Sequence, residues 1–366
     1  MAKRATSRRI IEFDLLRGFF IMVITLDHLA YWPSPLAFFS GKGWLWVSSA
    51  EGFFLISGFL IGFIRAYKGR HKDLWQVTKS LWRRALKLYL WGVGITLFLM
   101  AITALVPPDN VNTLPSLPPE DTTVGSTVVN VLLMRTFHAW IFFLRMYAVM
   151  LLVTPVFLWL VRKGKLWVAV LASVLVYASS LFFETPEAVV QWQLLFFLAA
   201  ALGYVFTPVR NWMAEHVTWR NAMIVGLVSV TAVTMVLSGI AIHGEHLMNQ
   251  LGLGEFQTNL HHWGNGTFSN FPMQPGRMVL AFIWFGGLLA LFHVLRDPII
   301  KFLGWVLVPF GKYSLTAYCL QAIILPFIVI ITEAQGSLWN MFVGLLTIMI
   351  MWLLMKSKLV LKIMPQ

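Results

Sequence analysis

The chain has 366 residues, of which 58% are apolar and only 12% carry a charge, and its formal net charge is +13. A soluble fold of this length would carry about a quarter charged residues. The composition therefore excludes a water-soluble protein and indicates one whose surface is largely covered by lipid. It also disfavours nucleic-acid binding, because the Lys and Arg residues are scattered over many short segments rather than gathered on one face.

The N-terminus resembles a secretory signal, because Lys3, Arg4, Arg8 and Arg9 precede an apolar stretch. That stretch, residues 10–32, is too long for the apolar region of a signal, and no small-residue cleavage site follows. We therefore predict an uncleaved first membrane span. The single cysteine, Cys319, leaves no disulfide or cysteine metal site within the chain.

Apolar runs of about 20 residues predict an all-α integral membrane protein with about ten transmembrane helices. The expected limits are 10–32, 44–64, 86–106, 140–161, 166–183, 190–206, 221–242, 278–295, 313–331 and 339–355. The half-polar segment from Gly125 to Phe137 is expected to lie along the interface or to dip partway into the membrane. No internal repeat is found, so residues 1–366 are treated as a single polytopic membrane domain.

The positions of Lys and Arg predict the orientation of the chain. With the N-terminus in the cytoplasm, the inner segment from Arg65 to Lys87 carries eight cations. The outer loops then hold Lys42, with Arg277 at a loop edge. We therefore predict that both termini are cytoplasmic and that the protein lies in the inner cell membrane, with membrane lipids as its surroundings.

Two outer segments, residues 107–127 and 243–276, are expected to be irregular extracytoplasmic caps, where loops usually carry binding function. The second segment is rich in side chains that can bind metals, namely His243, Glu245, His246, Glu255, His261 and His262. Their spacing matches no strong zinc pattern, so we predict no metal site.

The first two predicted spans carry ionisable residues, each of which costs about 3 kcal/mol at the centre of a bilayer. Arg17 and His28 are eleven residues apart, which brings them to nearly one helix face, about 16 Å apart along the axis. Asp14 falls near that face. Glu51 lies in the outer half of the second span among small residues, so it is predicted to meet His28 between closely packed helices. Asp27 points about 100° away from His28. The alternative is structural: interfacial solvation of Asp27 and His28, and a packing role for Glu51.

Three stretches resemble membrane acyltransferases of the acyltransferase family 3 type. Residues 13–18 (FDLLRG) followed by Asp27 and His28 resemble the start of these proteins, in which an Arg and a His are separated by ten residues. Residues 49–58 (SAEGFFLISG) resemble the second-helix motif of the OpgC branch, named for enzymes that succinylate periplasmic glucans. Residues 311–318 (GKYSLTAY) are similar to a late motif of the superfamily, although Gln321 stands where some relatives carry a histidine.

The resemblance implies an enzyme that takes an acetyl or succinyl group from cytoplasmic acyl-CoA and delivers it to a hydroxyl of an extracytoplasmic glycan or glycolipid. It implies no permanently bound cofactor. Because a hydroxyl is a poor nucleophile at neutral pH, acylation needs a base close to the attacking oxygen. His28 is assigned as that base, with a transient acyl-imidazole as a variant, and Glu51 or Asp27 would orient its ring.

The donor and acceptor sites are assigned to further charged and polar residues. Arg17 with Asp14 would hold polar groups of acyl-CoA, and Arg83 with Arg84, directly before the third span, would hold its phosphates. The alternatives are a structural Asp14–Arg17 pair and contact with anionic lipids. The assigned acceptor-binding residues flank the outer ends of later spans: Arg135, His138, Arg145, Gln191, Trp192 and Arg277. Interfacial anchoring is the alternative for Arg135 and Trp192.

The sequence is also compatible with two other functional classes. A multi-pass transporter or flippase for an envelope precursor also places charges at mid-membrane, but it would more often show inverted repeats and paired broken helices. A scaffold without chemistry would not need Arg17, His28 and Glu51 together. The sequence leaves the acyl group, the acceptor and the oligomeric state open, and a homodimer remains among the alternatives.

Overall fold

A computed structural model describes residues 10–106, 123–183 and 187–365 of the chain. In these ranges the fold is all-α. The helices are α1 Ile11–Leu29, α2 Ala37–Ser40, α3 Ser49–Leu60, α4 Leu74–Leu105, α5 Val124–Leu132, α6 Phe142–Arg162, α7 Leu166–Ser180, α8 Ala188–Glu215, α9 Val217–His243, α10 Glu245–Gln250, α11 Gly254–Phe268, α12 Pro275–Val294, α13 Arg296–Lys312, α14 Ser314–Ile331, α15 Ser337–Lys356 and α16 Lys358–Ile363.

Each of the ten predicted spans falls on a helix. By length and composition, eight helical segments of the described chain can cross a membrane: α3 with its π-helical continuation to Lys68, then α4, α6, α8, α9, α12, α14 and α15. The other two predicted spans fall on α7, which is apolar but has only 15 residues, and on α1, which carries four charged side chains. The predicted multi-pass, all-α membrane fold is confirmed.

The cytoplasmic side, in the predicted orientation, contains more helix than expected. α4 begins at Leu74, where the Asp73 side chain accepts a hydrogen bond from the backbone of Gln76 at 2.9 Å. This start lies about 18 Å of helix before the predicted span at residue 86. The connection 296–312 is also a helix, α13, which buries Leu307 and Phe310. Hydropathy missed both segments because their cations and polar residues interrupt the apolar runs.

The prediction that residues 243–276 form an irregular cap is wrong, because α10 and α11 occupy most of this segment. Polar side chains four residues apart contact each other along these helices, with His246 near Gln250 at 3.0 Å and His261 near Asn265 at 2.9 Å. Such pairs stabilise helices that lack an apolar face. Of the other predicted cap, residues 107–122 lie outside the described residues, as do the N-terminal cations at positions 3–9.

α1 lies inside the helix assembly and contacts α3, α12, α13, α14 and α15. Glycine permits its closest packing, against α13. A Cβ at Gly18 would lie 2.1 Å from the carbonyl oxygen of Leu307, and a Cβ at Gly311 would overlap the carbonyl oxygen of Asp14. Small residues allow helix backbones to approach in this way inside a membrane. The charged side chains of α1 therefore point into protein rather than into lipid.

Candidate functional site

His28 lies in the last turn of α1 and faces the indole ring of Trp140. The two rings are nearly parallel, with an interplanar angle of 20° and centroids 6.2 Å apart. The ring of His138 approaches the same indole, with centroids 5.2 Å apart. Trp140 thus brings together two histidines that are 110 residues apart in sequence, and we call these three rings the imidazole cluster.

His138 is held in place by the backbone that follows it. Its Nδ1 accepts a hydrogen bond from the backbone N–H of Trp140 at 3.2 Å, which caps the short 3₁₀ helix Ala139–Ile141. Burial lowers the pKa of His138 to about 4, so the ring is neutral at neutral pH. Since Nδ1 accepts a bond, the proton of the neutral ring resides on Nε2.

Two nitrogen atoms of the imidazole cluster are buried without a hydrogen-bond partner. They are Nδ1 of His28 and Nε2 of His138. Buried polar atoms in folded proteins are nearly always paired, so each orphan needs a reason. The His28 ring as a whole is only partly buried. A bound hydroxyl, carbonyl or water would supply the missing partners.

Asp27 makes no hydrogen bond to His28 in the described chain. Its carboxylate accepts a side-chain hydrogen bond from Ser40 and lies against Gly43, in the turn that follows α2, while its Oδ1 is buried without a partner. This direction agrees with the 100° that separates adjacent residues on a helix. The structure thus places Asp27 against the connection between α1 and α3 and shows no contact through which it would orient the imidazole.

Glu51 is also turned away from the predicted partner. Its Oε2 accepts hydrogen bonds from the backbone and the hydroxyl of Ser48, which forms a capping box at the start of α3. Its Oε1 accepts a hydrogen bond of 2.5 Å from Nε of Arg277 on α12. Arg277 also donates to the carbonyl of Phe268 at 3.1 Å. The structure thus pairs Glu51 with Arg277. From the sequence, Glu51 is predicted as a partner of the catalytic His28 and Arg277 as an acceptor-binding residue.

The Glu51–Arg277 pair is a buried structural bridge. The Glu51 side chain is 0% exposed and that of Arg277 is 8% exposed. The pair joins α3 to α12, and the capping box satisfies the second carboxylate oxygen. Because both carboxylate oxygens accept hydrogen bonds, the geometry meets the conditions under which a buried ion pair is tolerated.

Arg17 lies below the imidazole cluster on α1. Its guanidinium lies over the ring of Phe53, 5.9 Å from the centroid. Phe53 contacts Phe143, and Phe143 contacts both Tyr147 and Tyr318, with centroid separations of 5.0, 5.8 and 5.5 Å respectively. We call these four rings the central aromatic cluster. It joins α3, α6 and α14 at the face of α1 that carries Arg17.

The predicted donor-binding residues are only partly brought together. Arg84 extends from α4 over Tyr147, with 5.8 Å from its guanidinium carbon to the ring centroid. Arg17 and Arg84 therefore flank the same central aromatic cluster. Arg83 is exposed on α4 and contacts none of these rings. Asp14 is half-buried, and its backbone packs against Gly311.

Gln321, noted from the sequence as a departure from some relatives, is buried on α14. Its side chain is fully buried, and both polar atoms of its amide lack a hydrogen-bond partner. It follows Tyr318 by one helical turn on α14, the helix that contacts both α1 and the segment carrying Trp140. An unpaired amide in this position offers one donor and one acceptor to a bound molecule.

Most of the other predicted acceptor residues make structural contacts. Arg145 donates to Glu187 at 2.9 Å, which joins α6 to the start of α8, and its guanidinium lies over Phe142. Arg135 is exposed after the end of α5. Neither contacts the imidazole cluster.

The two residues predicted at the start of the sixth span are also held by neighbours. Gln191 accepts a hydrogen bond from the backbone of Met273 at 2.9 Å, although its amide nitrogen is buried without a partner. Trp192 packs edge-on against Phe54, with centroids 5.5 Å apart. Among the six predicted acceptor residues, His138 is the one that the structure places beside His28.

The histidines of the outer segment make backbone and side-chain contacts of their own. His243 contacts the carbonyl oxygen of Gly41 at 2.8 Å, and His261 contacts that of Ala241 at 3.0 Å. Within the described residues, no three His, Cys, Asp or Glu side chains are grouped so that they could hold a metal ion.

In a comparison with known proteins, the model of a protein family described as "OpgC protein" matches residues 9–360, nearly the whole chain. No curated protein and no solved structure matches the chain.

Proposed function

The chain belongs to the OpgC family, and from this premise we propose that it is an O-acyltransferase which moves an acetyl or succinyl group from cytoplasmic acyl-CoA to a hydroxyl of an extracytoplasmic glycan. Family membership favours a transferase that acts on glycans. The observation that carries the proposal is the imidazole cluster. His28 lies on a central helix, stacks on Trp140, and has a buried Nδ1 without a hydrogen-bond partner.

In the proposed reaction, His28 acts as general base. The hydroxyl oxygen of the acceptor attacks the thioester carbonyl, a C–O bond forms and the C–S bond breaks. The imidazole takes the hydroxyl proton and returns it to the departing thiolate of CoA. In the variant with a transient acyl-imidazole, the ring nitrogen attacks the thioester carbonyl, the C–S bond breaks and CoA leaves as its thiolate. The acceptor hydroxyl then attacks the acyl carbon, the C–N bond breaks, and the hydroxyl proton is transferred to the CoA thiolate.

Trp140 and His138 support this chemistry without a carboxylate. The indole fixes the plane of the His28 ring, which a Glu or Asp would otherwise do. The neutral His138 presents an N–H that could donate to the carbonyl oxygen as negative charge develops on it. No acidic residue is hydrogen-bonded to His28 in the described chain. The imidazolium that forms during the reaction would therefore have no carboxylate partner.

The donor is proposed to enter along the central aromatic cluster. Arg84 and the exposed cations around it would hold the phosphates of CoA, as arginines often do. Arg17 lies about 16 Å before His28 along α1, a separation that a long pantetheine arm could span. The unpaired amide of Gln321 suits an amide group of that arm.

The acyl group is not decided by the outer arginines. Two of the arginines assigned to the acceptor site are already paired, Arg145 with Glu187 and Arg277 with Glu51. Neither is free to select an acidic succinyl group over an acetyl group, so both donors are used in the test.

The test uses purified protein in detergent with labelled acetyl-CoA or succinyl-CoA and a soluble β-glucan. We expect label in the glucan and an equal molar amount of free CoA thiol with one of the two donors. If no label appeared in the glucan with either donor, the proposed function would be overturned. Uptake of glucan into proteoliposomes without CoA release would instead favour the transporter alternative.

A further inference from the structure

A cavity of about 700 Å³ lies between α1, α3, α9 and α12, beneath the turn at residues 37–43. Phe19 lines it from α1. Because Phe19 and His28 are nine residues apart, they point in opposite directions from the helix axis. Phe20 lines the cavity as well, about 80° around the helix from His28. None of the three rings of the imidazole cluster lines the cavity, so the proposed acyl transfer does not use it.

The cavity is polar at one end and apolar along the rest of its length. Ser40, Lys42 and His243 lie at the end formed by the 37–43 turn and the C-terminus of α9. The lining of α12 runs from Ala281 to Leu291, about 15 Å along the helix, and it is apolar throughout. A molecule that fits this space has a polar head and a long apolar tail.

The cavity is open to the lipid phase and also reaches the protein core. Val236 on its α9 wall is 61% exposed, and Phe38 at its rim is 88% exposed. Phe20 and Trp284 on its inner walls are buried. Exposed apolar residues on a membrane helix face hydrocarbon, so a lipid chain could enter sideways between α9 and the rim.

Lys42 sets the charge of the polar end. Among the described residues that line the cavity, it carries the one full charge, and it makes no ion pair within the described chain. Asp27 lies behind the same turn, where its carboxylate is bonded to Ser40. An unpaired lysine at the mouth of an apolar cavity is complementary to a phosphate group.

We propose that this cavity is a binding site for an anionic phospholipid, with one acyl chain between α1, α9 and α12 and the phosphate at Lys42. The site is separate from acyl transfer. It would fix the outer turn, which His243 already contacts through the carbonyl oxygen of Gly41, against the bilayer.

The tail of the lipid is tested by filling the cavity. Gly239 lines it, and a Cβ at this position meets no atom within 4 Å, so Gly239→Leu directs a larger apolar side chain into open space. Gly226, on the same helix, also has open space around its Cβ but does not line the cavity, so Gly226→Leu is the matched control. Native mass spectrometry after exchange into phosphatidylglycerol and phosphatidylcholine would count the retained lipids.

We expect the wild type and Gly226→Leu to retain one phosphatidylglycerol, and Gly239→Leu to lose it while melting at the same temperature. Lys42→Asn removes the charge and introduces a residue that tolerates the left-handed backbone at this position (φ 57°). It should reduce the preference for phosphatidylglycerol over phosphatidylcholine about fivefold, as expected for one lysine near anionic lipid. Equal retention by Gly239→Leu and wild type would overturn the site, and an unchanged preference in Lys42→Asn would overturn the assigned headgroup.

Discussion

Replacement of His28 by alanine should lower the rate of acyl transfer by about 100- to 10,000-fold, the range that general-base catalysis contributes. The reason is that the hydroxyl of the acceptor would have to attack without a base beside it. His28→Gln should lose as much, because an amide can form hydrogen bonds but cannot accept the proton. The measurement is the initial rate of CoA release with saturating donor and glucan.

The control for this prediction is His216→Ala. His216 is exposed after α8, and it too stacks on an indole, that of Trp212, with centroids 4.7 Å apart and an interplanar angle of 18°. The two variants therefore remove the same kind of ring pair, one in the site and one outside it. We expect His216→Ala to transfer at the wild-type rate. A full transfer rate in His28→Ala would remove His28 from the reaction.

Breaking the Glu51–Arg277 pair should lower the free energy of unfolding more than any of the other single substitutions proposed above. Arg277→Met would leave the Glu51 carboxylate buried and unpaired, and such a change typically costs about 3–5 kcal/mol. Glu51→Gln would leave Arg277 without its carboxylate while keeping an acceptor for the capping box. The apparent melting temperature of the purified protein in detergent should fall for both single variants and recover in part in the double variant.

Arg145→Met is the matched control, since it breaks an ion pair of similar length at a more exposed place. Arg145 and Glu187 are 17% and 66% exposed, and exposed pairs contribute up to about 1 kcal/mol. If Arg145→Met lowered the melting temperature as much as Arg277→Met, the structural role given to the buried pair would be wrong.

The sequence predicted the eight helical segments of the described chain that are long and apolar enough to cross a membrane, because a bilayer requires long apolar helices whatever their partners. Among the helices that it missed, α11 carries polar side-chain pairs and α13 packs closely on α1, and hydropathy reports neither feature. Gly18 and Gly311 both lie within motifs of the sequence, but the sequence does not show that Gly18 packs against Leu307 and Gly311 against Asp14, because both contacts form between distant parts of the chain.

For the candidate site, the sequence predicted the helix face that carries His28 and Arg17, but not which residues contact them. His28 and Arg17 were predicted on one face of α1, and they lie along the imidazole and central aromatic clusters in the structure. The partner of Glu51, Arg277, is 226 residues away in sequence. Neither charge nor sequence spacing could predict that Glu51 pairs with Arg277 rather than with His28. Trp140 carried only a weak signal, a tryptophan two residues after a histidine at the start of a span.

The central claim is that an acyl group passes through the protein from a donor on one side of the membrane to an acceptor on the other. It is tested most directly in sealed proteoliposomes of known orientation, with labelled acyl-CoA on one side and glucan on the other. We predict transfer when acyl-CoA faces the surface that carries residues 65–87 and glucan faces the opposite surface, and none when the two substrates are exchanged. Equal transfer in both arrangements, or transfer with both substrates confined to the glucan side, would contradict the account.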